Sequence, residues 1–107
     1  MKEGFLFIKA KKKLHKIHLA EIIYIEAMDD YIQFKLTGEK TVVARMTMKG
    51  ILDQLDLKQF IRVHRSFIVP LKSIEAVGAK NISLNSIEIA LGKHYAEDVI
   101  KKFKKAF

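Results

Sequence analysis

The run YIQFKL, residues 31–36, sets Ile32, Phe34 and Leu36 on one side of an extended chain and Tyr31, Gln33 and Lys35 on the other. A period of two marks a strand with one face buried and the other wet. TGEK (37–40) supplies turn residues, and TVVAR (41–45) resumes a β-branched run, so the stretch predicts a hairpin. Similar short runs recur along the chain: FLFI (5–8), LHKIHL (14–19), IIYIEA (22–27), FIRVHRSFIV (60–69), SIEAV (73–77), NISL (81–84) and SIEIAL (86–91). β-branched and aromatic residues dominate them. KAKKK (9–13) is predicted as a turn. A chain of this kind is mainly β.

Two segments follow helical spacing instead. In TMKGILDQLDL (47–57), Met48, Ile51, Leu52 and Leu55 share a face, and Thr47 is a candidate N-cap. Gly50 weakens this helix, which is predicted to run two to three turns. Near the end, Tyr95, Val99, Phe103 and Phe107 recur every four residues, Ile100 joins them, and Lys101, Lys102, Lys104 and Lys105 fall mostly elsewhere. That pattern predicts a C-terminal helix.

The chain has 107 residues and no cysteine, which suits one domain and excludes disulfides and thiolate chemistry. This is compatible with a reducing cytoplasm. No apolar run approaches the ~18 residues that span a bilayer. The net charge is +8, and its distribution is uneven. Residues 1–18 hold six lysines against one acid, and residues 61–107 hold nine basic against four acidic residues. Residues 19–60 hold five basic and seven acidic. If the two basic ends meet, they form a positive face suited to a polyanion.

Catalytic and metal patterns are thin. His15 and His18 stand three apart, and on a strand that spacing points them to opposite faces. His64 and Ser66 form a base–hydroxyl pair with no acid in the motif to orient the base. Asp29 and Asp30 read as a turn acid pair. No glycine-rich phosphate loop occurs. The reading is therefore non-enzymatic, with no metal or cofactor. FIRVHRSFIV stands apart, because Arg62, His64 and Arg65 interrupt an apolar run in which charges are costly to bury. With Ser66, Lys93 and His94 they suit phosphates or base edges. The chain lacks the exposed-aromatic motif of an RNA-recognition sheet and the consecutive helices of a helix-turn-helix.

EIIYIEAMDDYIQF (21–34), FIRVHRSFIV (60–69), SIEAV (73–77) and GKHY (92–95) occur in that order. With them the sequence resembles a LytTR domain, the DNA-binding output domain of a class of bacterial response regulators, over residues 5–104. The resemblance implies an elongated arrangement of small antiparallel sheets with a short internal helix. It implies loops, rather than a recognition helix, entering successive major grooves of bent duplex DNA. It implies a dimer on paired direct repeats, and a preceding receiver domain phosphorylated by a histidine kinase. Residues 1–107 read as a single output domain with no receiver domain, either excised from a longer chain, the favoured reading, or a stand-alone regulator.

Three loops carry the implied contacts. The first offers Asp29, Asp30 and Tyr31 as candidates, with Asp30 and Tyr31 the base readers. In the second, Arg65 takes the base-reading position. His64 and Ser66 take phosphates there, and Arg62 either joins them or braces the motif through an acid. In the third, Lys93 reads a base while Gly92 and His94 flank it, His94 toward a phosphate. This chain departs from the family pattern, which commonly has Ser-Arg-x-Tyr in the third loop where Gly92-Lys93-His94-Tyr95 stands here. Lysine lacks the bidentate fork of arginine. Pro70 stands where asparagine is frequent and removes an amide donor. Two other classes stay open. One is a basic interaction module for protein or an anionic membrane surface, resting on Lys11–Lys13 and Lys101–Lys105. The other is a hydrolase using His64 and Ser66.

Overall fold

The computed structural model describes residues 4–107. Lys2 and Glu3, counted in the basic N-terminal stretch, lie outside the described residues. The described residues form ten strands and two α-helices in an arrangement 40 Å long and 29 by 26 Å across. The strands are β1 (Phe5–Ala10), β2 (Lys13–His18), β3 (Ile22–Met28), β4 (Tyr31–Leu36), β5 (Lys40–Arg45), β6 (Phe60–His64), β7 (Phe67–Pro70), β8 (Ile74–Val77), β9 (Asn81–Leu84) and β10 (Ile87–Ala90). The helices are α1 (Met48–Leu52) and α2 (Ala96–Ala106). All pairing is antiparallel, in a β1–β2 hairpin, a five-stranded sheet ordered β5-β4-β3-β7-β6, and a three-stranded sheet ordered β10-β9-β8.

Alternation along the strands divides the interior into two cores. Phe34, Ile32, Ile25 and Ile68 face the first, which the β1–β2 hairpin and α1 close with Leu6, Ile8, Ile17 and Ile51. Ile61, Val63 and Val69 face the second, which β8–β10 and α2 close with Ile82, Leu84, Ile89 and Val99. Phe60 and Ile61 are adjacent in sequence yet belong to different cores, as are Ile68 and Val69. A pleated strand turns successive side chains to opposite faces, so β6 and β7 are covered on both. That explains why FIRVHRSFIV reads as nearly continuous apolar sequence rather than as clean alternation.

The predicted hairpin over 31–45 is present, with β4 on its expected residues and β5 beginning one residue early at Lys40. Its turn uses Gly38 and Glu39, both at positive φ. Other elements depart from expectation. β1 runs on through Ala10 and β2 starts at Lys13, so the turn contracts to Lys11 and Lys12, at φ 49° and 64°. The helix expected over 47–57 is only Met48–Leu52. Thr47 caps it as expected, its Oγ1 accepting from the Gly50 amide at 3.0 Å. Beyond Leu52, Gln54 and Leu55 bond back only three residues, so the apolar spacing continues in turns rather than in helix. Leu55 is still buried, so the pattern reports burial there but not helix length. In α2, Val99 is fully buried while Tyr95 and Phe103 pack against the second core. Ile100 and Phe107 lie outside it, 40% and 75% exposed: Ile100 is turned about 100° from Val99 around the helix, and Phe107 follows the last helical residue, Ala106.

Because Ile68 is fully buried on an inner strand of the five-stranded sheet, Ile68→Ala is expected to cost about 2–5 kcal/mol of stability. Urea denaturation measures it. A loss below about 1 kcal/mol would show that the first core closes around the missing side chain.

Candidate nucleic-acid interface

The sheet brings the candidate residues to one end. β3 runs toward Asp29 and β7 runs away from Ser66, and they pair as Ile25 with Ile68 and Glu26 with Phe67. The Ala27 amide then donates to the Ser66 carbonyl at 2.8 Å, so the β3–β4 and β6–β7 turns are neighbours. Residues 91–95 lie on the outer flank of β6, where the Gly92 amide donates to the Val63 carbonyl at 2.7 Å. All three loops are therefore at the same end of the sheet.

The first loop is a two-residue turn in which Asp29 adopts φ 55°. Aspartate tolerates the left-handed region and favours turns, and the turn-pair reading of these acids agrees with that geometry. Asp29 and Asp30 are exposed, and Tyr31 is 44% exposed where β4 begins, paired with Met28 and Arg45.

The second loop shows how the interrupted apolar run is accommodated. The chain reverses at Arg65-Ser66, and a register shift between Arg62 and His64 bulges β6 just before the turn. Arg62 folds its guanidinium back over the turn, Nε donating to the His64 carbonyl at 3.4 Å and an Nη to the Arg65 carbonyl. The brace thus runs through the turn's own carbonyls, and among the described residues no acid takes part. The same guanidinium stands 5.7 Å from the centre of the Tyr95 ring, within range of a cation–π attraction. His64 Nδ1 accepts from the Ser66 amide at 3.1 Å, and its ring packs at a tilt against Phe67. An accepting Nδ1 leaves the proton on Nε2, which becomes a donor. That bond also occupies the lone pair with which this ring would act as a catalytic base.

The third loop leaves Lys93 and His94 exposed. Gly92 sits where a Cβ would meet the Tyr95 ring at 2.8 Å and the His64 Cα at 3.3 Å. In the sequence this glycine stands out only for its missing hydroxyl, whereas the geometry shows a close backbone approach. Tyr95 reads in sequence only as a core residue of the helix. Its position beside Gly-Lys-His is the available signal that it also touches the loops.

Among the described residues the only ion pairs are Lys49–Asp53 at 3.9 Å and Lys102–Asp98 at 3.5 Å, both on exposed helical surface. Arg65, Lys93 and His94 have neither an acid nor a side-chain hydrogen-bond partner there, and the Ser66 hydroxyl is unbonded. These groups therefore stay hydrated. His15 and His18 lie on opposite faces of β2, the first opposite Ile8 and the second against the Phe5 ring. They cannot share a metal ion from those faces.

A small β scaffold that holds hydrated cationic side chains on short loops at one end is a polyanion-binding domain in design. The LytTr DNA-binding domain profile matches residues 12–104, and the chain belongs to that family, which is a family of DNA-binding domains and not of enzymes. An uncharacterized response regulatory protein of Vibrio cholerae serotype O1 is 35% identical over 77 residues, covering 67% of this chain. This chain spans about a third of that relative, the match covering 30% of its length. The fold resembles that of the LytTr DNA-binding domain of a Bacillus cereus response regulator, with a TM-score of 0.76 at 22% identity over 94% of this chain and 96% of the other. No described helix is long and apolar enough to cross a membrane.

Gly92→Ala is expected to lower stability by about 1–3 kcal/mol, the usual cost of adding a methyl group to a filled site. The denaturation midpoint should fall at unchanged slope. A variant as stable as the parent would show that the Tyr95 ring swings aside freely.

Proposed function

We propose that this domain binds duplex DNA sequence-specifically and regulates transcription as the output part of a response regulator. The observation that supports this best is the set of cationic side chains, unpaired among the described residues, on two of three neighbouring loops, in a chain of a DNA-binding family. Arg65 and Lys93 are the base readers, each entering a major groove from its loop, with Asp30 and Tyr31 completing the set from the first. His64 Nε2, the Ser66 hydroxyl and His94 donate to phosphates. Arg62 has donors to spare for a phosphate, since two of its N–H groups go to the turn and a guanidinium carries five. Two copies occupy paired direct repeats. A receiver domain answering a histidine kinase controls them in the longer protein, which works in the bacterial cytoplasm. Residues 1–107 act as one DNA-binding unit.

The physical division of labour follows from DNA itself. Phosphate contacts supply affinity and make it fall steeply with salt, while base contacts supply discrimination. Arg65 is suited to the guanine O6 and N7 edge, where a bidentate pair is worth about 1–3 kcal/mol. Lys93 gives a point donor at the corresponding position and discriminates less. Asp30 can accept from cytosine N4.

The test is selection of sites from a randomised duplex library at near-physiological salt, repeated with Arg65→Ala. The parent should recover a direct repeat with half-sites about one helical turn apart. The variant should lose about 1–3 kcal/mol of discrimination at one base pair of each half-site. Equal discrimination by both proteins would remove Arg65 from base reading.

One feature favours a second reading. Lys11, Lys12 and Lys13 cluster, exposed, at the tip of the β1–β2 hairpin, as a basic interaction module would require. Replacing Lys11 and Lys12 by alanine should weaken every duplex alike and reduce the salt slope by about 0.9 for each phosphate left unneutralised. If those lysines carried all binding while Arg65→Ala had no effect, and no motif were recovered, the interaction-module reading would replace the first.

A further inference from the structure

Tyr95 is half-buried between α2 and the β6–β7 turn. Its ring packs on the second core and also faces the Arg62 guanidinium at 5.7 Å. Arg62 in turn holds the carbonyls of His64 and Arg65, the residues that define the tip of the turn. The Tyr95 amide donates to the Gly92 carbonyl at 2.9 Å, and the Gly92 amide donates to the Val63 carbonyl. Only a glycine at 92 leaves room for the ring so close to the His64 backbone. A chain of touching groups therefore runs from α2 through Tyr95 to Arg62, and from Arg62 to the peptide that carries the Arg65 side chain. The loop bearing Lys93 is fastened to the same ring and the same strand.

From this we infer that Tyr95 is a positioning residue for DNA recognition, fixing Arg65 through Arg62 and joining the second and third loops into one rigid reading unit. This rests on the proposed role of Arg65 in base reading. An arginine that reads a base edge must hold its geometry to a fraction of an ångström, and Arg65 is exposed, with no side-chain partner of its own among the described residues. Its placement therefore depends on the backbone beneath it. The carbonyls of that backbone are oriented by Arg62, whose own freedom the Tyr95 ring restricts. A phenol hydroxyl is not needed for this role, because the ring itself makes the contact.

The experiment compares Tyr95→Phe and Tyr95→Leu, alone and combined with Arg65→Ala, in binding to the selected duplex and to variants altered at single base pairs. Tyr95→Phe should discriminate like the parent. Tyr95→Leu should show a drop of about two- to five-fold in discrimination at the base pair read by Arg65, the size expected for one cation–π contact near the surface. Its salt slope should stay unchanged, since every phosphate contact is kept. On the Arg65→Ala background the leucine substitution should have no further effect on that base pair.

A structural role alone would lower the melting temperature and weaken all duplexes by the same factor, leaving the ratio between sites unchanged. That result overturns the inference, as does full additivity of Tyr95→Leu with Arg65→Ala. If Arg65→Ala discriminates as well as the parent, base reading by Arg65 fails and the inference falls with it. If Arg65→Ala loses discrimination and Tyr95→Leu does not, only the positioning role fails.

Discussion

Burial of β6 and β7 on both faces is the constraint from which the rest of the molecule follows. Phe60 and Ile68 pack into one core while Ile61, Val63 and Val69 pack into the other. Both cores therefore share two strands, and neither can be removed without exposing apolar surface of the other. Each fully buried side chain of this size contributes about 1.5–3 kcal/mol relative to exposure, and the five named here lie in one hairpin. The α2 helix, the β8–β10 sheet, α1 and the β1–β2 hairpin are the covers this arrangement demands. A strand pair packed from both sides also has little freedom to slip, because a shift of one residue would exchange its two faces.

A rigid pair of strands can end in a turn that is itself well defined. The β6–β7 connection has only two residues, and Arg62 and His64 direct their polar groups to it rather than to water alone. This is how the segment carries cationic residues inside apolar sequence without a buried charge. Among the described residues no polar or charged residue is buried. Arg62 and His64 are half-buried with carbonyl or amide partners, and Arg65 is in solvent. Burial of an unpaired charge would have cost several kcal/mol; here the backbone of the turn provides the partners. Loops on such a scaffold can do what a recognition helix does elsewhere, provided their backbones are fixed.

Much of this is legible in the sequence where side-chain period and residue type agree. YIQFKL reports its strand residue by residue, because one face is buried and the other is not. The two-sided strands of FIRVHRSFIV are harder to place, since burial on both faces erases the alternation, and the bend within them has no glycine or asparagine to announce it. The turn at Lys11-Lys12 is narrower than its sequence suggests for the same reason. Both lysines adopt positive φ, a conformation that asparagine or glycine usually signals. The helix after Thr47 is shorter than its apolar spacing predicts because Leu55 keeps helical spacing while bonding in turns. In the loops, the residues of the family motif point to Arg65 and Lys93, but the contacts of Tyr95 and Gly92 depend on two segments about thirty residues apart, and no local pattern encodes that meeting.

The acids of the first loop belong to the same logic as the cations of the other two. A carboxylate facing a polyanion weakens attraction to every phosphate, and that loss is uniform across sequences. A base edge that presents a donor, such as cytosine N4, recovers it at one position only. Specificity is the difference between the right site and the many wrong ones, so a residue that penalises all sites and is relieved at one improves discrimination while lowering total affinity. Asp29 and Asp30 lie next to a turn whose arginine has no acid partner, and the chain as a whole carries a net charge of +8. That surplus sustains general attraction to DNA with the two acids in place. On the proposed reading, attraction is spread over many lysines and selection is concentrated in a few groups at one end of the sheet.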